Sequence, residues 1–569
     1  MRRFFIPILT ISLLALGVAC TPDNPDGGYE YEDVTGPYIP TGKITFRGTV
    51  CSGNTPLAGV VVSDGILCVA TDESGYFEID SDLAKTKFVH VSIPSGYKAR
   101  SDANGIPQHY HLVTDAEKQA NLCEHTFNLE KISIGDPEQF TMFICADPQP
   151  RSSGAGWDNI AYHSLDCAED MYRDMSELAA KITDRQVYGL TLGDVTHENM
   201  SLYAEYKKGV KRIKDASTRG SFQMHTCIGN HDNDTTSKSD EEGRHSFEEN
   251  LGPVNYSFNI GKIHFICIDN LIMKLNADGV LKSYNQGLTD DLWKWLQNDL
   301  RYVDRESTIM IATHSPMFRM QSNSDRWNTN ATKHGYDYKS LLSKYKKVHA
   351  WAGHVHAGFW YIYPEGHDCR NIEVHTLARS TGELWTNEYI SASQPRGYIV
   401  MEVTGEDVSW YFKPTAYQSG KFITKTPSQP AYKYRDWKLD SDKETLLVNG
   451  KKIDKSYQMK VYEPSAYGDG YIYVDVFIWD SYWEYPHFDG MKMQKVPLEQ
   501  SYGLAHKEIQ DHYYKVGYKT KGDAGYAGTY TPIGYPTTLF RIYEPRPTGS
   551  GTVTITDRFG NKYSRTISW

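Results

Sequence analysis

The chain has 569 residues, enough at roughly 150 per domain for three or four domains with a sizeable core. Hydrophobic residues make up 40%, charged ones 23% and aromatics 13%, with a mean hydropathy of −0.55, a globular balance that excludes a disordered or many-span membrane chain. A net charge of −11, from 60 Lys+Arg against 71 Asp+Glu with no basic run, excludes a broad phosphate-backbone binder, so nucleic acid is not expected as a partner.

At the N-terminus, Met1-Arg2-Arg3, an apolar stretch from Phe4 to Val18 and Ala19-Cys20 follow the charged, hydrophobic and small-residue order of an export signal, residues 1–20. The stretch is too short for a comfortable membrane span. Gly17-Val18-Ala19-Cys20 resembles a bacterial lipobox, with Gly17 where Leu is usual. That resemblance implies a lipid anchor on Cys20, hence a membrane as partner and a place at the cell envelope, in the periplasm or on the surface. Residues 21–41 are rich in Pro, Gly and acidic groups and read as a tether. Of the eight remaining cysteines, Cys145, Cys227 and Cys267 sit in apolar runs as buried thiols, whereas Cys51 and Cys68 could bridge two strands.

Residues 42–131 alternate apolar and polar positions, as in Ile44, Phe46, Val50 and in Val89, Val91, Ile93, with Asp64-Gly65 and Ser74-Gly75 as turns, which predicts a β-sandwich. The phrase from Gly59 to Ile79 resembles the transthyretin-like or carboxypeptidase-regulatory modules of exported bacterial proteins. From about Phe140 short apolar strands alternate with amphipathic helices, the pattern of a layered α/β domain over 136–416. Strands are predicted at Phe140–Cys145, Val187–Leu192, Thr308–Ala312 and Lys347–Trp351. Helices are predicted at Asp166–Ile182, with Met171 and Met175 on its apolar face, and around Leu292–Leu300. After about Thr415 helical periodicity is absent. Strand signals at Tyr471–Trp479 and Gly551–Arg565 predict a second β-sandwich over 425–569.

Five clusters in the middle domain each follow an apolar strand, where an α/β sheet presents side chains to a crevice. They are Asp147-Pro148-Gln149, Gly193-Asp194, Gly229-Asn230-His231-Asp232, Thr313-His314-Ser315 and Gly353-His354-Val355-His356. Any one of them is an ordinary turn, cap or satisfied histidine. Together they offer carboxylate, amide and imidazole donors suited to Mn, Fe, Zn or Mg rather than to a thiolate metal. Seven donors fit two cations better than one, the arrangement that activates a bridging water and clamps a phosphoryl group.

These blocks resemble the signature of the calcineurin-like metallophosphoesterases, and the resemblance implies a four-layer α/β/β/α core with two metal ions between two mixed sheets. It implies Asp147, Gln149, Asp194 and His356 as the first metal site, and Asp194, Asn230, His314 and His354 as the second, with Asp194 bridging. His231 would be the outer-sphere histidine of catalysis. The stretch Asn255–Asn270 is similar to the family's hairpin between its third and fourth blocks. The outer sandwiches look like modules that flank this domain in exported bacterial phosphoesterases. Most of the family has His where this chain has Gln149, a weaker and harder ligand, which shifts the expected preference toward Mn, Mg or Fe. The implied chemistry is in-line attack of a metal-bridging hydroxide on a phosphoester.

Arg151, His163, Arg244 and His245 are candidate phosphate contacts, weighed against solvated loop charges, and His197 and Glu198 are candidate partners of a ligand. The competing reading is a catalytically degenerate surface lipoprotein that binds glycans. Trp479, Tyr482, Trp483 and Tyr485 would be its sugar platform, although a sandwich core is the favoured reading of that aromatic group.

Overall fold

The strands that build the core and one hairpin run, in chain order, β1 (Gln139–Cys145), β2 (Gln186–Leu192), β3 (Met224–Cys227), β4 (Tyr256–Ile260), β5 (Ile263–Ile268), β6 (Leu271–Leu275), β7 (Leu281–Gln286), β8 (Thr308–Thr313), β9 (Lys347–Ala352), β10 (Phe359–Ile362), β11 (Ile372–Thr376), β12 (Gly397–Thr404) and β13 (Asp407–Pro414). Three helices matter to the site: α1 (Ser164–Ala179), α2 (Tyr203–Ala216) and α3 (Asp290–Leu300). This computed structural model describes residues 36–569 except 134, 152–163, 221, 321–326, 330–332, 364, 383–393, 418–436, 441–444, 449–450, 465, 502 and 505–537. Cys20 and the leader therefore lie outside the described residues. Among the described residues no helix is long and apolar enough to cross a membrane.

Two mixed sheets form the core, in the orders β3-β2-β1-β12-β13 and β4-β5-β8-β9-β11-β10. β2 is buried along its whole length, because a parallel strand between two layers shows neither face to water. Alternation sorts β1 between the layers. Phe140, Met142 and Ile144 join Phe258, Phe265 and Met310 in the space between the sheets, while Phe143 and Cys145 meet Met171, Met175 and Val210 under α1 and α2. On the far side, Asp299 of α3 accepts from Ser257 Oγ at 2.6 Å and pairs with His264 Nε2 at 2.8 Å, so the outward polar residues of β4 and β5 are satisfied by that helix. The result is helix, sheet, sheet, helix. Register brings the C-terminal ends of neighbouring parallel strands level, with Cys145 beside Thr191, Leu192 beside Cys227 and Ala312 beside Trp351. The loops that follow them open on one edge.

Two four-stranded sheets precede the core, one built on Phe46–Ser52 and Cys123–Asn128 and the other on Val61–Ser63 and Phe88–Val91. They share a core of Phe46, Val50, Phe77, Val62, Val89 and Phe127. Cys51 lies in the first and Cys68 in the second, and both are thiols, so the bridge allowed by their spacing is not formed. After the core, Tyr471–Val476 pairs with Leu539–Tyr543 and Ser550–Thr556 with Lys562–Ser568. Contrary to the expectation from periodicity, residues 498–501, 503 and 504 are helical. Within these described residues after Pro497 there are too few apolar positions for a repeat to show.

Of the aromatic group, Trp479 and Trp483 are buried, with Trp479 edge-on to Phe540 at 5.1 Å. Tyr482 is exposed and its ring carries the Arg370 and Arg558 guanidiniums at 4.8 and 4.6 Å. Arg558 also enters the core sheet, donating to Glu373 at 2.7 and 2.8 Å and to Asp480 at 2.9 Å. A buried bidentate pair therefore ties the C-terminal strands to β11.

Candidate metal centre

The five strand-end clusters converge. Asp147 follows β1, Asp194 follows β2, Asn230 follows β3, His314 follows β8, and His354 and His356 follow β9. Their backbones are unusual. Asp147, Gln149, Asp194, Glu198, His354 and His356 account for six of the nine described non-glycine residues with positive φ. Such a conformation costs roughly 1–3 kcal/mol per residue and persists only where surrounding contacts over-determine it. Here the contacts are local: His354 N donates to Asp147 Oδ2 at 3.0 Å, Gln149 N to the Asp194 carbonyl at 2.9 Å, and His231 N to Asp194 Oδ1 at 2.9 Å. Glycines make the approach feasible. A Cβ on Gly229 would lie 2.2 Å from Asp194 Oδ1, and one on Gly353 would lie 2.4 Å from Asp147 Oδ2.

Side-chain donors fall into two groups that share Asp194. In one, Asp147, Asp194 and His356 offer ligand atoms within 4.8 Å of one another, with His356 Nε2 at 3.4 Å from Asp147 Oδ1. The Gln149 amide reaches Asp194 Oδ2 directly. In the other, His314 Nε2 stands 3.2 Å from Asn230 Oδ1, 3.2 Å from His354 Nδ1 and 3.3 Å from Asp194 Oδ2. Neighbouring groups fix which nitrogen faces inward. His314 Nδ1 donates its hydrogen to the Leu192 carbonyl at 2.7 Å, which leaves Nε2 its lone pair, and the Tyr284 hydroxyl takes His354 Nε2 at 2.9 Å, which leaves Nδ1.

Charge agrees with this. Burial opposes ionisation of Asp194, yet the imidazoles of His314 and His231 hold its carboxyl well below the usual range. Burial likewise opposes protonation of His314, and Asp194 overrides it and lifts the ring to about 10. Burial, then His314, lowers His354 to about 4. A field that attracts a proton this strongly also suits a cation, and carboxylates, amide oxygens and imidazoles are the donor types that hold divalent metal ions. The floor is closed, with Asp147, Gln149, Asp194 and His314 buried, while Asn230, His231, His354 and His356 form a partly open rim.

His231 has its own setting. Its Nδ1 meets Glu198 Oε1 at 3.1 Å, and its ring stacks on His197 with centroids 4.1 Å apart. The hydrogen bond to His231, with Lys282 at 2.7 Å, outweighs burial and holds the Glu198 carboxyl down at about 2. Glu198 is thus an anion that fixes the imidazole and leaves Nε2 facing away from it.

Lys282, Tyr284, Gln286 and Arg379 were not visible as contributors in the sequence, and Asp232 was visible only as a member of the third cluster. Lys282, Tyr284 and Gln286 alternate along β7 and reach Glu198, His354 and Ser315. Arg379, buried after β11, places Nη2 3.1 Å from His356 Nε2. Asp232 accepts from Gly229 N at 2.8 Å and from Thr196 N at 3.0 Å, and burial, then Asp194, raises it to about 7. Of the candidate phosphate contacts, Arg244 is engaged with Glu248 at 3.3 Å and Asp240 at 3.7 Å, and His245 with Glu249 at 3.0 Å. His163 lies outside the described residues.

Comparison with known proteins supplies three family matches along the chain. Residues 44–132 match the N-terminal region of calcineurin-like phosphoesterases, residues 140–358 the calcineurin-like phosphoesterase domain, and residues 375–563 the C-terminal region of such proteins. The last match includes β12 and β13, which complete a core sheet. No curated protein matches the chain. Among solved structures, a purple acid phosphatase from yellow lupin (Lupinus luteus) seeds is 15% identical with a TM-score of 0.35, over 50% of this chain and 53% of its own. The chain thus spans about half the length of that relative. A dimetal phosphatase from Danio rerio is 13% identical with a TM-score of 0.31, over 49% of this chain and 97% of its own. A 5'-nucleotidase from Candida albicans is 12% identical with a TM-score of 0.28, over 48% and 52%.

Proposed function

We propose that this chain, which belongs to the calcineurin-like phosphoesterases and carries that family's N- and C-terminal regions around the catalytic domain, is a metal-dependent hydrolase of phosphate esters that works with two cations held across Asp194. In this reading Asp147, Gln149, Asp194 and His356 hold one, and Asp194, Asn230, His314 and His354 the other. When bound, the ions supply water activation and neutralise charge that builds on phosphoryl oxygens. The chain's own groups do the rest. Asp194 keeps the two donor groups in one frame, and Glu198 fixes His231 so that Nε2 can pass a proton to the leaving oxygen. Arg379 adds a buried positive charge beside His356, suited to orienting an anionic substrate.

What supports the reading best is the set of lone pairs around His314. Asn230 Oδ1, His354 Nδ1 and Asp194 Oδ2 all lie within 3.3 Å of its Nε2, and Leu192 engages its Nδ1, so Nε2 is the ring atom that faces them. Donors gathered so closely need positive charge among them: a proton on His314 supplies it in the metal-free chain, and a metal ion would take that proton's place. The test is hydrolysis of a chromogenic phosphomonoester and phosphodiester by metal-stripped protein reloaded separately with Mn, Zn, Fe or Mg. Asp194→Ala should lose both the metal pair and activity. His231→Ala should keep metal and lose about 10²–10⁴-fold in turnover. Unchanged turnover in His231→Ala would refute its role, and a native protein that binds no metal would refute the centre.

A further inference from the structure

Well away in sequence from the strand-end clusters, the N-terminal region carries a second set of metal-type donors that the reaction does not use. His111 lies on the strand Tyr110–Leu112, Glu117 on the helix Asp115–Ala120, and Cys123 opens the strand Cys123–Asn128. One nitrogen, one oxygen and one sulfur from these three lie within 4.8 Å of one another. His111 Nε2 is already 3.0 and 3.1 Å from the two Glu117 oxygens. Zn–S and Zn–N bonds of about 2.3 and 2.0 Å place tetrahedral donors roughly 3.3–3.6 Å apart, so small side-chain rotations would seat an ion.

The surroundings suit one. Thr114 directs both its N–H and its hydroxyl at Glu117 Oε2, each at 2.7 Å, so the capping box anchors the carboxylate through that oxygen and holds both of its oxygens beside His111. The His125 ring stacks on His111 with centroids 4.4 Å apart and a 20° tilt, which holds the imidazole in place. Rings so nearly parallel cannot share one in-plane ligand, so His125 orients rather than binds. Cys123 is fully buried, while His111 and Glu117 side chains keep 24% and 20% exposure, leaving a path for an ion and a water.

We propose that His111, Glu117 and Cys123 form a zinc site, with water as fourth ligand, that clips the two N-terminal sheets to the helix between them. Binding converts the Cys123 thiol to a thiolate and releases that proton to solvent, with no change in oxidation state. The mixed nitrogen, oxygen and sulfur set selects zinc over the harder ions that suit the catalytic donors.

Sulfur separates this site from the catalytic centre, whose donors include no thiolate. The experiment is titration of the metal-free, reduced full chain with Co²⁺, read by absorbance. The native protein and Asp194→Ala should both show a thiolate-to-cobalt charge-transfer band in the near ultraviolet, and Zn²⁺ should bleach it. Cys123→Ser should lose the band, and His111→Gln, a milder change at a half-buried position, should weaken cobalt binding at least ~10-fold. No band in the native chain, or a band of equal strength and affinity in His111→Gln or Cys123→Ser, would overturn the proposal.

Discussion

At the scale of single residues the centre is built from conformations that side chains rarely adopt. Asp147, Asp194, His354 and His356 all sit at φ between 51° and 69°, and two glycines make room for the carboxylates beside them. Gly229 has an ordinary φ of −114°, so its requirement is space rather than backbone freedom. Gly229→Ala should therefore leave the fold intact at a cost of about 1–3 kcal/mol and displace Asp194. We expect metal affinity and activity to fall about 10–100-fold, measured by metal titration and turnover, and unchanged affinity would contradict the steric account. The recurring Gly-Asp, Gly-Asn-His and Gly-His pairs were legible in the sequence as candidate ligands. The reason each begins with glycine was not, because a clash between Gly229 and Asp194 exists only once β2 and β3 are side by side. Arg379 had no signal at all, since a lone arginine after a strand is indistinguishable from a surface charge until its burial is known.

At the scale of elements, parallel strands were the easiest to read. Both faces of β2 are buried, so Val187, Tyr188, Leu190 and Leu192 fall on both of them with Thr191 the one polar side chain after Gln186, and α1 shows its inward stripe through Met171 and Met175. The hairpin of β6 and β7 defeated the same logic. Lys282, Tyr284 and Gln286 look like the wet face of an edge strand, yet that face is turned onto the loops of the centre. Period-2 alternation tells which residues share a face, not what the face meets. Tyr284→Phe tests the clamp by removing only the hydroxyl that holds His354 Nε2. Metal affinity of the native pair should drop by about 10–100-fold with little change in thermal stability, as read by competition with a chelator, and an equal affinity would show the hydroxyl to be idle. Short outer strands such as Thr55–Pro56 and Gln494–Lys495 were unreadable because two residues carry no period.

At the scale of the molecule, the N-terminal strands are joined to the core through buried histidines. Ile93 pairs alongside Phe258 of β4, His109 packs on Tyr256 at 4.6 Å and His90 on Trp295 at 6.2 Å, and within the core His225 stacks on Phe258 at 3.6 Å. Burial lowers His90 to about 4, His225 to about 3, and His109 well below its usual value. Above about pH 6.5 these rings are neutral folded or unfolded and add nothing. As pH falls from about 6.5 toward 4 the unfolded chain takes up protons that the native state refuses, so stability is lost, at about 1.4 kcal/mol per pH unit for each ring. Urea midpoints measured in chelator from pH 7 to 4.5 should decline steeply, and His225→Phe should remove roughly a third of the slope that these three create. An unaltered slope in that variant would place the acid sensitivity elsewhere. The order of the first sheet has a further consequence, in the timing of synthesis. β1, which carries Asp147 at its end, takes its second neighbour from β12, where Gln139 pairs with Thr404. The roughly 265 residues between them occupy a ribosome for about 13–50 s at 5–20 residues per second. Throughout that interval a long apolar strand waits with one bare edge, the kind of edge that templates aggregation. The yield of active protein is therefore set by whatever shields β1 until Thr404 emerges, and slowing translation ahead of β12 lengthens that exposure.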